Sequence, residues 1–133
     1  IIQAAKKNHP NDTFYEGDLS KFDFQTIEKF SDILLFGLLH HLNDENAKNL
    51  INKLINQLKS NGKIVAIDPL YVEKKNFYDS FANFVASKDQ GNFVRQENEY
   101  RSLVDSKLAT VETKIYKNLL RIPFYHHILN IKK

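Results

Sequence analysis

Two adjacent imidazoles, His40 and His41, close an apolar run and stand just ahead of Asn43, an apt helix cap. An unperturbed imidazole titrates at about 6.5, so a histidine at the mouth of a cleft can take a proton from a reacting group near neutral pH. One or two residues before a cap, however, an imidazole often ties down the loop. That structural use is the expectation for His41, and His40 stays open between the two. His126 and His127 form a second pair inside a strand pattern, which sends them to opposite faces. With no Cys and no properly spaced carboxylate partner, metal binding is not expected and no metal ligands are assigned. Three further groups fall where strand candidates end: Asp18 after Gly17, Phe36 with Gly37, and Asp68 before Pro69. In an open α/β sheet, ligands bind outside the carboxyl ends of the strands, so these positions face a binding crevice. The plainer alternatives are that Asp18 caps a turn and that Phe36–Gly37 is a buried strand residue followed by a bulge.

The elements that must carry these groups are legible in the apolar spacing. Residues 1–8 read as a helix already under way, without an N-cap, and the His9-Pro10-Asn11-Asp12 break follows. Thr13–Glu16 is a short strand candidate. Asp32-Ile33-Leu34-Leu35-Phe36-Gly37-Leu38-Leu39 is nearly unbroken apolar sequence, which predicts a strand buried on both faces of a parallel sheet. Ala47, Leu50, Ile51, Leu54, Ile55 and Leu58 then make one helical stripe. Asp44 and Glu45 suit its N-terminal end, and Gly62 is expected to close it in a left-handed conformation. Lys63–Asp68 is a second buried strand, stopped by Pro69. Strand, helix and strand at this spacing form a parallel crossover unit. Phe77, Phe81, Phe84 and Val85 mark a further helix that runs out at Gly91, and the aromatic series with Tyr78 is expected in the core. Glu97–Lys107 predicts a short helix with Tyr100, Leu103 and Val104 inward. Thr110–Tyr116 and Phe124–Ile131 predict two final strands joined by a connection containing Pro123.

The 133 residues, 42% hydrophobic and 26% charged, suffice for a single domain with a proper core across residues 1–133. No apolar run is long enough to span a membrane, no signal peptide is present, and the lack of Cys fits a reducing compartment, so the expectation is a cytoplasmic protein without a membrane partner. The net charge of +3 comes from scattered lysines rather than clustered arginines, so nucleic acid is not an expected partner. A homodimer is left open. The chain opens on Ile1 and contains no Met, which reads as a fragment.

Four motifs in order resemble the class I S-adenosylmethionine-dependent methyltransferases. Phe14-Tyr15-Glu16-Gly17-Asp18-Leu19 is similar to the family's third strand with its Gly-Asp ending. Phe30 through Leu42, ending His40-His41-Leu42, resembles the fourth strand with its terminal His-Leu. Leu58-Lys59-Ser60-Asn61-Gly62-Lys63-Ile64-Val65 is similar to the turn into the fifth. Asp89-Gln90-Gly91-Asn92-Phe93-Val94-Arg95, with Glu99-Tyr100 and Arg121-Ile122-Pro123-Phe124-Tyr125-His126, resembles a small-molecule subgroup with an Asp-x-Gly-x-x-x-Arg segment before its final hairpin.

The resemblance covers nearly the whole chain and implies a doubly wound, mostly parallel α/β sheet, Rossmann-like, with a C-terminal antiparallel hairpin. It implies S-adenosylmethionine as cofactor and a small-molecule methyl acceptor as partner. Asp18 would accept from the adenine amino group beside Leu19, and Phe36 and Gly37 would lie against the methionine portion. Arg95 and Tyr100 would frame the acceptor, their plainer alternative being helix-start packing and a surface charge. His40 or His41 would be the base, where the acceptor must lose a proton. The family's glycine-rich loop and the acidic end of its second strand are missing from these residues, so this polypeptide alone is expected to bind cofactor poorly. Two other readings stay open: a non-catalytic methyltransferase-like binding or regulatory subunit, and a nicotinamide-dependent Rossmann enzyme.

Overall fold

A computed structural model of the protein describes residues 2–19, 21–117, 119, 121 and 124–133; Ile1, Ile122 and the expected connection through Pro123 lie outside them. Helix α1 (Ile2–Asn8) stands at the start and buries none of its side chains. The described strands are β1 (Phe30–Phe36), β2 (Leu58–Leu70), β3 (Thr110–Lys117) and β4 (Tyr125–Lys132), hydrogen-bonded in the order β1-β2-β4-β3. β1 runs parallel to β2, and β4 is antiparallel to both β2 and β3. The crossover between β1 and β2 is helix α2 (Asp44–Asn56), so the expected strand–helix–strand unit and the final hairpin both form.

α2 forms because its apolar residues share one face and its ends are capped. Asn43 Oδ1 accepts from the Asn46 N–H at 2.9 Å, and Asp44 and Glu45 occupy the first turn. Ala47, Leu50, Ile51, Leu54 and Ile55 are all buried. Each Leu or Ile so buried contributes about 1.5–3 kcal/mol, which outweighs any difference in helix propensity. The helix ends sooner than expected, at Gln57, and the left-handed residue is Asn61 (φ 63°) rather than Gly62. Gly62 is required for space instead: a Cβ there would stand 2.9 Å from the Lys59 carbonyl oxygen and 3.1 Å from the Leu58 side chain.

The two faces of the sheet differ. Ile33, Leu35, Ile64, Ala66, Leu70, Leu129 and Ile131 share one face and pack with α2, Tyr100, Leu103 and Val104 into the main core. Leu34 and Phe36, on the other face of β1, are 65% and 70% exposed. Burial of β1 on both faces is therefore not observed, because no described element covers that side. Thr13–Glu16, expected as a strand, is irregular; it pairs with no strand edge among the described residues, and an unpaired segment gains no ladder hydrogen bonds.

Helix α3 (Phe77–Ala86) corrects another expectation. Its buried residues are Asp79, Ala82 and Ala86, whereas Phe77 is 86% exposed and Phe81 and Phe84 are also exposed. Polar contacts set this rotation. Asn83 Nδ2 donates to the Val72 carbonyl at 2.8 Å and its Oδ1 accepts from the Val72 N–H at 3.0 Å. Tyr125 Oη donates to Asp79 Oδ1 at 2.7 Å, holding that carboxyl below its usual range and pushing the phenol up to about 12. Helix α4 (Glu97–Arg101) is shorter than the expected Glu97–Lys107, yet Tyr100, Leu103 and Val104 all point inward as expected. No helix among the described residues is long and apolar enough to cross a membrane.

Candidate functional site at the carboxyl ends of β1 and β2

β1 stops at Phe36, and Gly37 turns the chain with φ +59°, a conformation in which a Cβ is strained. The Gly37 N–H still donates to the Ile67 carbonyl at 2.8 Å, which keeps the turn against β2. A single 3₁₀ turn, Leu39–His41, then carries both histidines to the carboxyl ends of the two parallel strands before Asn43 starts α2.

His40 is 4% exposed and held from three sides. Its Nδ1 lies 2.7 Å from Asp68 Oδ1, at the end of β2, and its backbone N–H donates to the same oxygen at 3.2 Å. Its Nε2 lies 3.0 Å from Oδ1 of Asp89, in the loop after α3. Its carbonyl accepts from the Phe93 N–H at 2.9 Å. Gly91 makes this approach feasible, because a Cβ there would overlap His40 Cδ2 and stand 2.7 Å from the His40 carbonyl oxygen. His41 is exposed, with its ring 4.1 Å from that of His40.

Arg95 and Tyr100, expected beside an acceptor, are committed to the protein. Arg95 is 5% exposed; its Nε donates to Asp44 Oδ1 at 2.8 Å, and Nη1 donates to the Leu39 and Phe93 carbonyls, each at 2.9 Å. Nη2 donates to the Leu42 carbonyl at 2.6 Å and meets Asp44 Oδ1 at 2.8 Å. A guanidinium has five N–H donors, and these five contacts use them all. Tyr100 is fully buried, donates to the Pro69 carbonyl at 2.9 Å and stacks on His127 at 5.0 Å. Burial, then the nearby Asp68 charge, push its phenol above the usual range.

The Asp-x-Gly-x-x-x-Arg segment thus acts as a clamp on the His-bearing turn: Asp89 and Gly91 meet the His40 ring, Phe93 its carbonyl, and Arg95 the carbonyls on either side. The segment was visible in the sequence. Its target was not, since the contacts span 49 residues for Asp89 and up to 56 for Arg95.

Asp68, noted only as a strand end, is the buried partner of His40. Burial raises its carboxyl above the usual range while its hydrogen bonds with His40 pull the other way. It faces His127 across β4, whose ring is pushed down to about 4 by burial. His126, its neighbour in β4, is buried beside Phe124 and is lowered by burial too. Asp68 Oδ2 and His127 Nε2 are buried and have no hydrogen-bond partner among the described residues.

The expected cofactor residues lie elsewhere on the same end of the sheet. Asp18 and Leu19, both exposed, line a cleft of about 500 Å³ with Gly17, Leu38, Leu42 and Leu50. Leu19 and Leu38 also border a cleft of about 380 Å³ that Phe36 lines. The Lys21 N–H donates to the Asp18 carbonyl at 3.0 Å, and Lys21 Nζ lies 3.8 Å from Asp18 Oδ2. The structure therefore groups Asp18, Leu19 and Phe36 around Leu38, with Gly37 next in the chain, and separates them from the clamp. A larger cleft of about 870 Å³ shares Gly17 and Leu19 with the first and extends past Phe22 and Phe24 to Phe30, at the amino end of β1.

No family model matches the chain. It is 28% identical over 122 residues to an uncharacterized methyltransferase of Bacillus cytotoxicus, covering 90% of this chain and 54% of that protein. Among solved structures it is similar to a putative O-methyltransferase of Nostoc punctiforme, with a TM-score of 0.70 at 16% identity over 99% of this chain and 42% of that one. It is similar to the mitomycin 7-O-methyltransferase MmcR, at TM-score 0.68 and 16% identity over 99% of this chain and 37% of that one. It is also similar to human N-acetylserotonin methyltransferase in complex with S-adenosylmethionine, at TM-score 0.62 and 19% identity over 90% and 33% of the two chains. The fold is shared with these proteins, and the chain spans about half the length of the curated relative.

Proposed function

We propose that the protein carrying this chain, which has the class I methyltransferase fold, transfers a methyl group from S-adenosylmethionine to a hydroxyl of a small molecule. The observation that carries this reading is the coincidence of that fold with a cleft beside the turn that follows β1, lined by four leucines together with Asp18, Asn46, Asn49 and Lys53. Ligands of open α/β sheets bind at that end.

The lining suits an adenosyl group: Asp18 offers an acceptor for an exocyclic amine, and Leu19, Leu38 and Leu50 offer aliphatic walls for a ring. Phe36 and Gly37 would border the methionine portion, where a residue without Cβ lets the backbone approach closely. When bound, S-adenosylmethionine supplies a methyl group already activated on a sulfonium. The protein's contribution is to hold an acceptor oxygen in line with that carbon. The clamp on the Leu39–His41 turn keeps the wall of the cleft at Leu38 and Leu42 in place. Of the two imidazoles, His41 is the exposed one and can take a proton from an acceptor that must lose one. The names of the structural neighbours, an N-acetylserotonin methyltransferase, a mitomycin 7-O-methyltransferase and a putative O-methyltransferase, support the choice of a small-molecule acceptor and of oxygen.

The test is calorimetry of S-adenosylmethionine binding to the intact protein. Asp18→Ala should weaken binding on the order of 1–3 kcal/mol, roughly 5- to 150-fold. An unchanged dissociation constant would remove Asp18 from the adenine role. Failure of the unmodified protein to bind would favour a non-catalytic, partner-binding role for the fold.

A further inference from the structure

His40 directs both ring nitrogens at carboxylate oxygens. A neutral imidazole carries one N–H and one lone pair. Nδ1 lies 2.7 Å from Asp68 Oδ1, the shorter of the two ring contacts, and we take the tautomer with its N–H on Nδ1. Nε2 then directs its lone pair at Asp89 Oδ1, 3.0 Å away, an oxygen that already accepts the Gly91 N–H at 3.0 Å. In that tautomer both atoms are acceptors aimed at a common point, at the spacing of two ligands on one metal ion. A ring nitrogen of His41 stands close by: the donor atoms of His40, His41 and Asp89 all lie within 4.8 Å of one another.

We propose that His40, His41 and Asp89 form a binding site for a divalent transition-metal ion, zinc being the ion that best suits two imidazoles and a carboxylate. This departs from the sequence-based expectation of no metal, which considered only the His126 pair and never brought Asp89 to the turn. The site has the parts such a centre needs. Ligands at zinc bond lengths stand about 3.3 Å apart around a tetrahedral ion. The His40–Asp89 pair is already near that spacing, and the exposed His41 can close the remaining gap by side-chain rotation. Asp68 supplies the outer carboxylate that typically fixes the tautomer and orientation of a metal-bound histidine. The fourth position is left to water or an incoming oxygen. The ion would join the Leu39–His41 turn to the loop after α3 and would withdraw His41 from any role as a base. The inference does not depend on the methyl-transfer reading.

The experiment is titration of the chelator-stripped intact protein with zinc chloride, followed by calorimetry, in parallel with Asp89→Asn and His41→Ala. Both substituted residues are exposed, so the variants should fold, and far-UV circular dichroism in chelator checks this. One zinc ion should bind the unmodified protein, and each variant should bind at least about tenfold more weakly. Cobalt(II) should give a visible ligand-field spectrum that the His41→Ala variant loses. Absence of saturable binding would overturn the proposal. Equal affinity in either variant would also overturn it, placing the ion elsewhere.

Discussion

From Leu34 to Asp44 the chain passes from one of the least covered parts of the molecule to one of the most tightly held. Leu34 and Phe36 project from the part of the sheet face, at β1, that nothing described covers. A few residues on, His40 is enclosed by Asp68, Asp89, Gly91 and Phe93, and the flanking carbonyls are bound by Arg95. The difference follows from the kind of partner each side chain needs. Apolar side chains take any apolar surface of fitting shape, so their burial waits on whatever element covers them. The polar groups of a tight turn need donors and acceptors at defined positions, and a buried carbonyl left unpaired costs about 1–3 kcal/mol. Those partners, Asp68, Asp89, Phe93 and Arg95, come from distant parts of the sequence.

The comparison can be broken most sharply at two glycines. In the clamp, Gly91→Ala would drive a methyl group into the His40 ring and its carbonyl, and should destabilise the protein by about 3 kcal/mol. Gly17→Ala, in the open cleft with nothing within 4 Å of the added carbon, should leave stability within about 0.5 kcal/mol. Urea denaturation of the two variants measures the contrast directly; similar losses would show that the clamp is no tighter than the cleft.

A second effect, of similar or smaller size, depends on pH. Burial pushes His127 down to about 4, against a usual value of 6.5, with the Glu97 charge opposing and Arg101 assisting. Below pH 6.5 the unfolded chain takes a proton that the folded ring refuses until pH is about 4, so stability falls across that window. The loss from this group should reach up to about 3 kcal/mol. His126, also lowered by burial, adds the same sign, whereas Asp68, raised by burial, opposes it as pH falls through its own range. Stability curves at a series of pH values should therefore be flatter for His127→Phe, which keeps an aromatic ring against Tyr100. An unaltered slope would place the pH dependence in other groups. The smallest effect is expected on the open side: Phe77→Ser, at a residue 86% exposed, should shift stability by less than about 0.5 kcal/mol. A larger loss by thermal melting would reveal packing on α3 that its exposure conceals.

What could be read from sequence divides along the same line. The α2 stripe from Ala47 to Ile55, its Asn43 cap and the inward Tyr100, Leu103 and Val104 depend on local spacing and are buried or capped as expected, whereas Leu58 falls in β2. Thr13–Glu16 has strand-forming side chains, but a strand also requires a free edge to pair with, which local spacing does not report. On α3 the aromatic residues had the period of a core face, yet Asn83 and Asp79 fix its rotation through contacts with Val72 and Tyr125. Of the strand-end groups, Asp18 and Phe36 line two clefts that share Leu19, Leu38 and Leu50, whereas Asp68 is buried against His40. Arg95 and Tyr100 were noticed for their chemistry, but their partners lie on other elements and consume it.

The exposed side of β1 has a further consequence, for handling rather than for chemistry. Among the described strands β1 is an edge, and its sequence Phe-Ser-Asp-Ile-Leu-Leu-Phe carries a single charge, Asp32, paired with Lys63 at 3.4 Å. An apolar edge with open N–H and C=O groups is a template for another strand, and proteins ordinarily blunt such edges with charge, Pro or a covering element. A preparation of these residues by themselves would therefore tend to associate through β1, and a second charge at Leu34 would be the simplest way to keep it in solution.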